Sequence, residues 1–113
     1  EPDIADRASL ETDRSLELRT RDRERKLISK IDAALRRIEM FGVDVIVVAL
    51  GLDAYEGDPF KGLAVTTDGF ARIGKAIAGA GLPLLLVQEG GYVSEALGTN
   101  LVSFLSGLDE GRV

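Results

Sequence analysis

Hydrophobic residues recur along this chain with two different periods, and the switches between them predict its elements. Between residues 24 and 40, Leu27, Ile31, Ala34, Leu35 and Ile38 follow helical spacing and form one apolar stripe. Gly42 stands where a left-handed cap would end that helix. Residues 43–50 are rich in β-branched side chains and almost wholly apolar, the pattern of a buried strand. Thr66 or Thr67 offers an N-cap to a second helix, with Asp68 in its first turn, where the helix dipole favours an acid. Phe70, Ile73, Ala76 or Ile77, and Ala80 give that helix its buried face, and Gly81 and Pro83 stop it. A second strand follows at 83–87. A last helix at 93–106 carries Val93, Leu97, Leu101, Phe104 and Leu105 on one stripe. The order helix, strand, helix, strand, helix defines an α/β chain built on a βαβ unit. Its two strands should be parallel and its crossover right-handed.

Strands that read as continuous apolar runs are usually covered on both faces and paired on both edges. Two strands and three helices do not achieve that. The sheet therefore expects more strands than this chain supplies, and the chain reads as part of a larger α/β domain or as a subunit that pairs with another. The first residue is Glu1 rather than Met, which suggests a processed chain or a piece of something longer. Residues 1–22 carry few large apolar side chains: Ile4, Leu10, Leu16 and Leu18. They read as a frayed tail or a solvated helix laced with ion pairs. Asp22 and Glu24 interrupt the basic run at 19–26, so it is a mixed-charge face rather than a basic patch.

Composition narrows the picture further. A length of 113 residues suits one domain with a modest core. Residues 1–30 hold eight basic and eight acidic groups, so the net charge of −5 lies in the remainder. That balance argues against binding a phosphate backbone. There is no cysteine, which excludes disulfides and thiolate metal sites and is compatible with a cytoplasmic location. The longest apolar runs, about eight residues, are far below the roughly 20 needed to span a membrane. There is no histidine.

Candidate chemistry is concentrated in two loops, each following an apolar strand. The first is Leu50-Gly51-Leu52-Asp53-Ala54-Tyr55-Glu56-Gly57-Asp58-Pro59-Phe60, and the second is Val87-Gln88-Glu89-Gly90-Gly91-Tyr92. Ligands of open α/β sheets bind beyond the carboxyl ends of the strands, so both loops should meet on one rim. By itself, Asp53 could simply cap a turn, Tyr92 could be an exposed loop aromatic, and Tyr55 and Phe60 could be packing residues. A phosphate nest at Gly90-Gly91 is disfavoured, because neither the Gly-x-Gly-x-x-Gly spacing nor a nearby Lys or Arg is present.

Together the loops resemble the zinc-dependent deacetylases, the histone deacetylases and acetylpolyamine amidohydrolases. The resemblance rests on Gly51-x-Asp53-x-x-x-Gly57-Asp58-Pro59 and on Glu89-Gly90-Gly91-Tyr92. Ile73-Gly74 and Gly81-Leu82-Pro83 between them fit the same pattern. It covers about residues 30–108, and the Glu-Gly-Gly-Tyr form is nearer the acetylpolyamine amidohydrolase branch. The resemblance implies a portion of a larger parallel, three-layer arginase-like sheet. It implies that Asp53 is a ligand of a catalytic zinc and that Tyr92 hydrogen-bonds the substrate carbonyl and the oxyanion formed from it. Phe60 would line the channel for an acylated amine, and Gly90 and Gly91 would let backbone approach the site. Glu89 takes the part of loop architecture, and Asp58 that of turn structure.

The departures from the family matter as much. The family's remaining zinc ligands, an aspartate and a histidine, and its paired histidine bases come from earlier segments, and this chain has no histidine to supply them. A catalytic zinc normally has three protein ligands and a water. The expected organisation is a charged extension at 1–25, a C-terminal deacetylase-like segment at 26–108 and a tail at 109–113. The implied activity is hydrolysis of acetyl-lysine or acetylpolyamine by a complete enzyme, with this chain inactive alone and zinc not held tightly. The expected partners are that substrate and a missing N-terminal part or a second copy, with no nucleic acid and no membrane. The alternatives are a non-enzymatic α/β interaction module and one half of a split deacetylase.

Overall fold

The computed structural model describes residues 4–56 and 65–112, apart from the side chains of 4–7, 16, 17 and 20. Helix α1 runs Ile4–Phe41, strand β1 Ile46–Leu50, a single 3-10 turn Leu52–Ala54, helix α2 Thr67–Ala78, strand β2 Leu84–Gln88 and helix α3 Glu95–Gly111. The strands pair in parallel, with Ile46 opposite Leu84 and Leu50 opposite Gln88. The α/β class and the parallel pair expected from the sequence are both present. No described helix is long and apolar enough to cross a membrane.

Helix α1 does not begin at residue 24. It is a single element of 38 residues, so no structural boundary falls at residue 25. At about 1.5 Å per residue such a helix is roughly 57 Å long, which accounts for the longest molecular dimension of 59 Å. The radius of gyration, 16.8 Å, exceeds the ~13 Å of a compact chain of this length, because the polar first half of α1 projects from the body. Lys26 and Asp22 pair one turn apart at 3.2 Å on its exposed surface. Gly42, at φ 70°, closes the helix and donates to the Ile38 carbonyl.

The second half of α1 is anchored differently. Leu27, Ile28 and Ile31 pack against the core. Glu24 lies on the same face, three, four and seven residues before them, and is 5% exposed. Its carboxylate accepts from the Thr66 backbone N–H at 2.5 Å and pairs with the Arg72 guanidinium. A charged group buried this deeply is stable only when it is paired and hydrogen-bonded, and here the positive end of α2 supplies the second partner. Gly69 belongs to the same arrangement, since a Cβ there would lie 2.7 Å from Glu24 Oε2.

Helix α2 starts as its threonines suggest: Thr66 is the N-cap, its hydroxyl accepting from the Gly69 N–H at 2.9 Å. Thr67 Oγ1 donates to Asn100 Oδ1 at 2.7 Å, and Ser103 Oγ donates to the Thr67 carbonyl at 2.6 Å. Both bonds tie α2 to α3. Helices α2 and α3 approach so closely that glycines are required. A Cβ on Gly107 would run into the Ala71 carbonyl, one on Gly74 into the Phe104 carbonyl, and one on Gly111 would sit 2.5 Å from the Lys75 carbonyl.

The core comprises Leu50, Leu52, Val65, Phe70, Ile73, Ile77, Ala78, Phe104 and Leu108. Two expectations for α3 are corrected. Val93 precedes the helix and is 97% exposed, and Leu105 is turned outward. Leu108 takes the inward position, one turn after Phe104. The helix runs on to Gly111, through residues the sequence reading gave to a tail. Leu52 and Val65, both fully inside, come from loop segments without periodicity.

Gly107→Ala should lower the melting temperature by roughly 5–20 °C, a cost of about 1–3 kcal/mol. Gly98→Ala, with nothing near its Cβ, should raise stability by about 0.4–1 kcal/mol. Glu24→Ala should cost about 1.5–3 kcal/mol in chemical denaturation, whereas Asp22→Ala, which removes an exposed pair, should change stability by less than about 0.5 kcal/mol.

Candidate functional site

The parallel register brings both chemistry-bearing loops to one edge of the sheet. Leu50 and Gln88 are the last paired residues, and the Glu89 N–H donates to the Leu50 carbonyl at 2.9 Å just beyond them. From that point the chain turns sharply in both loops. After Gly51, the turn Leu52–Ala54 points Leu52 into the core and leaves Asp53 exposed. A parallel bridge between Tyr55 and Val65 closes the base of this loop. The Glu56 N–H donates to the Val65 carbonyl at 2.9 Å, and the Val65 N–H donates to the Ala54 carbonyl at 2.8 Å.

The Asp53 carboxyl group nests between two glycines from different loops. A Cβ on Gly51 would lie 2.6 Å from Asp53 Oδ1, and one on Gly90 would lie 3.0 Å from the same oxygen and from Cγ. Gly90 and Gly91 both have positive φ, 91° and 115°, a conformation side chains strain to adopt. A Cβ on Gly91 would also meet Leu97 Cδ1 at 2.8 Å and Leu52 Cβ at 3.0 Å. The glycines therefore serve both backbone shape and close approach. Tyr92 follows directly on this loop and is 55% exposed, within reach of solvent.

Of the residues singled out from the sequence, Gly90 closely approaches the Asp53 carboxyl group, and Gly91 and Tyr92 follow directly on the same loop. Phe60 lies outside the described residues, as do Gly57, Asp58 and Pro59. Glu89 is exposed, and Tyr55 is half-buried against the core. Among the described residues no group of three or more His, Cys, Asp or Glu could hold a metal ion. The buried Glu24 had no motif to announce it. The signal available was its place on the helical face of Leu27, Ile28 and Ile31.

Known proteins divide the chain in two. An acetylpolyamine amidohydrolase from Burkholderia pseudomallei is 45% identical over 84 residues, 74% of this chain and 25% of that protein. A crystal structure of an acetylpolyamine aminohydrolase from the same species superimposes with a TM-score of 0.75 at 43% identity, covering 80% of this chain and 26% of that one. The α/β part of this chain is similar in sequence and in fold to about a quarter of these acetylpolyamine amidohydrolases. Residues 1–38 match the family model of the DnaK suppressor protein DksA, N-terminal domain. The RNA polymerase-binding transcription factor DksA of Caulobacter vibrioides is 84% identical over 37 residues, 33% of this chain and 26% of that protein. The chain thus spans about a quarter of the length of each of these relatives. Helix α1 belongs almost entirely to the DksA-like stretch, yet it packs on the deacetylase-like body. The mixed-charge pattern of that stretch reads as a charged extension and carries no motif that announces this likeness.

Proposed function

We propose that residues 43–108 are the part of an amide-hydrolysing site that completes a zinc-dependent deacetylase, acting on an acetylated polyamine or lysine. The observation that carries this reading is the seat of Asp53, whose carboxyl group is framed by Gly51 and Gly90 on the edge where Tyr92 emerges. In this reading Asp53 is one ligand of the metal. Tyr92 donates its phenolic hydrogen to the carbonyl oxygen as negative charge develops there, a role worth a few kcal/mol in the transition state. Gly90 and Gly91 keep side chains out of the space the substrate enters. The described residues do not by themselves fit a zinc ion, because among them no group of three His, Cys, Asp or Glu stands where three protein ligands are needed. The chain alone is therefore inactive.

A chimera tests this reading. Residues 43–108 replace the matching portion of the Burkholderia enzyme, and acetate release from an acetylpolyamine is measured. The chimera should be active, and the 113-residue chain alone should release none. Asp53→Ala in the chimera should abolish turnover, and Tyr92→Phe should lower kcat by about 10²–10³-fold. A chimera whose activity is indifferent to Asp53 sinks the assignment.

A second reading attaches to α1, favoured by the 84% identity to a protein named for binding RNA polymerase. On this reading α1 is a partner-binding helix whose exposed first half is available while its second half is held by the body. Immobilised chain should then retain purified Caulobacter RNA polymerase, and deletion of residues 1–20 should abolish retention. No capture by the intact chain at physiological salt would retire the idea.

A further inference from the structure

Thr66, Gly69 and Arg72 recur at three-residue spacing at the start of α2, so they stack on one face of that helix. Thr66 is the N-cap, and its hydroxyl accepts from the Gly69 N–H. Its own backbone N–H has no acceptor within the helix, as at any helix start. The Glu24 carboxylate meets all three residues. It accepts from the Thr66 N–H at 2.5 Å and pairs with the Arg72 guanidinium. Gly69 supplies the shape: a Cβ there would lie 2.7 Å from Glu24 Oε2, 2.8 Å from Cδ and 3.0 Å from Oε1. The whole carboxyl group therefore rests in a notch that a side chain at position 69 would fill. Hydrogen-bond direction, positive charge and shape converge on one planar anion, and the helix start adds its own positive field.

The seat and its occupant come from different stretches of the chain. Thr66, Gly69 and Arg72 lie beyond residues 1–38, the part that matches the DksA N-terminal domain, whereas Glu24 lies within it. The Glu24 side chain is 6% exposed, but that of Arg72 is 60% exposed. A cavity of about 510 Å³ borders the pair, with Thr66, Arg25 and Ser29 also on its wall. Solvent thus reaches the guanidinium from the side, and a small molecule has a route to the seat once the Glu24 side chain is truncated. Asp68 lines the same cavity, and its negative charge favours a monoanion over a dianion there.

We propose that the start of α2 is a carboxylate-binding site, built from the Thr66 N–H, the Gly69 notch and the Arg72 guanidinium, in which Glu24 of α1 is the resident ligand. The apolar stripe of Leu27, Ile28 and Ile31 gives α1 its affinity for the body, and this one carboxylate sets the register in which it docks. A small aliphatic carboxylate, acetate or formate, takes the same seat when the Glu24 side chain is removed. The site lies apart from Asp53 and does not depend on the deacetylase reading.

The test uses the full chain carrying Glu24→Ala, melted in sodium acetate and in sodium chloride at equal ionic strength. Moving from chloride to about 0.2 M acetate should raise the variant's melting temperature by roughly 3–6 °C and leave that of the parent chain unchanged. Formate should act as acetate does. Adding Arg72→Ala or Gly69→Ala to Glu24→Ala should cancel the response, the first by removing the charge and the second by filling the notch. Amide NMR reads the seat directly: the Thr66 N–H signal should shift in Glu24→Ala and return toward its parent position as acetate is added. If Glu24→Ala is unfolded in chloride, acetate should restore its helical circular dichroism. No response to acetate, an equal response in the parent chain, a response that survives both added substitutions, or a phosphate response as large as that to acetate would each overturn the proposal.

Discussion

One alignment governs this molecule: β1 and β2 run parallel and end level with each other. Leu50 opposite Gln88, and the Glu89 N–H on the Leu50 carbonyl, fix where both chains leave the sheet. Because a parallel pair requires a crossover, α2 must lie between them in sequence and over them in space. The same constraint delivers Asp53 and the Gly90-Gly91 turn to one place. A slip of one residue would turn every strand side chain to the other face and part the carboxylate from its glycine frame.

The helical layer that holds this alignment is dense. Helices α2 and α3 touch backbone to backbone at Gly74, Gly107 and Gly111, so their spacing is set by the absence of side chains. Close-packed contacts of this sort tolerate little change in volume. Helix α1 is fastened by other means. Its stripe is short, and the buried Glu24 carboxylate adds a directional tie to the start of α2 through the Thr66 N–H and Arg72. That tie joins a DksA-like segment to a deacetylase-like one. Two stretches with different relatives thus share one small core, and the polar first half of α1 is left in solvent.

The covered and bare faces of the sheet differ in their neighbours rather than in their residues. Ile46, Val48 and Leu86 are chemically like Val45, Val47 and Leu85. What separates them is the two-residue period of a strand, which sends alternate side chains to opposite sides. Among the described residues helices occupy one side and not the other, so alternate side chains of an otherwise uniform apolar run are exposed. Among the described residues, no group of three or more His, Cys, Asp or Glu stands on this rim to hold a metal ion.

The sequence by itself determined the element order, the parallel pairing, a threonine N-cap for α2 at Thr66 or Thr67, the cap at Gly42 and the placing of Asp53, Gly90, Gly91 and Tyr92 at strand ends. These follow from local periodicity, from turn chemistry and from two motifs at a fixed separation. The reach of α1 was not legible, because residues 4–23 lack an apolar period and a solvated helix leaves no such trace. Tertiary structure alone decided that Glu24 is inside, that Leu52 and Val65 are core, that Leu108 rather than Leu105 is buried, and that Val47 and Leu85 are exposed. Each of these depends on which surfaces meet across distant parts of the chain, and spacing along the chain does not encode that.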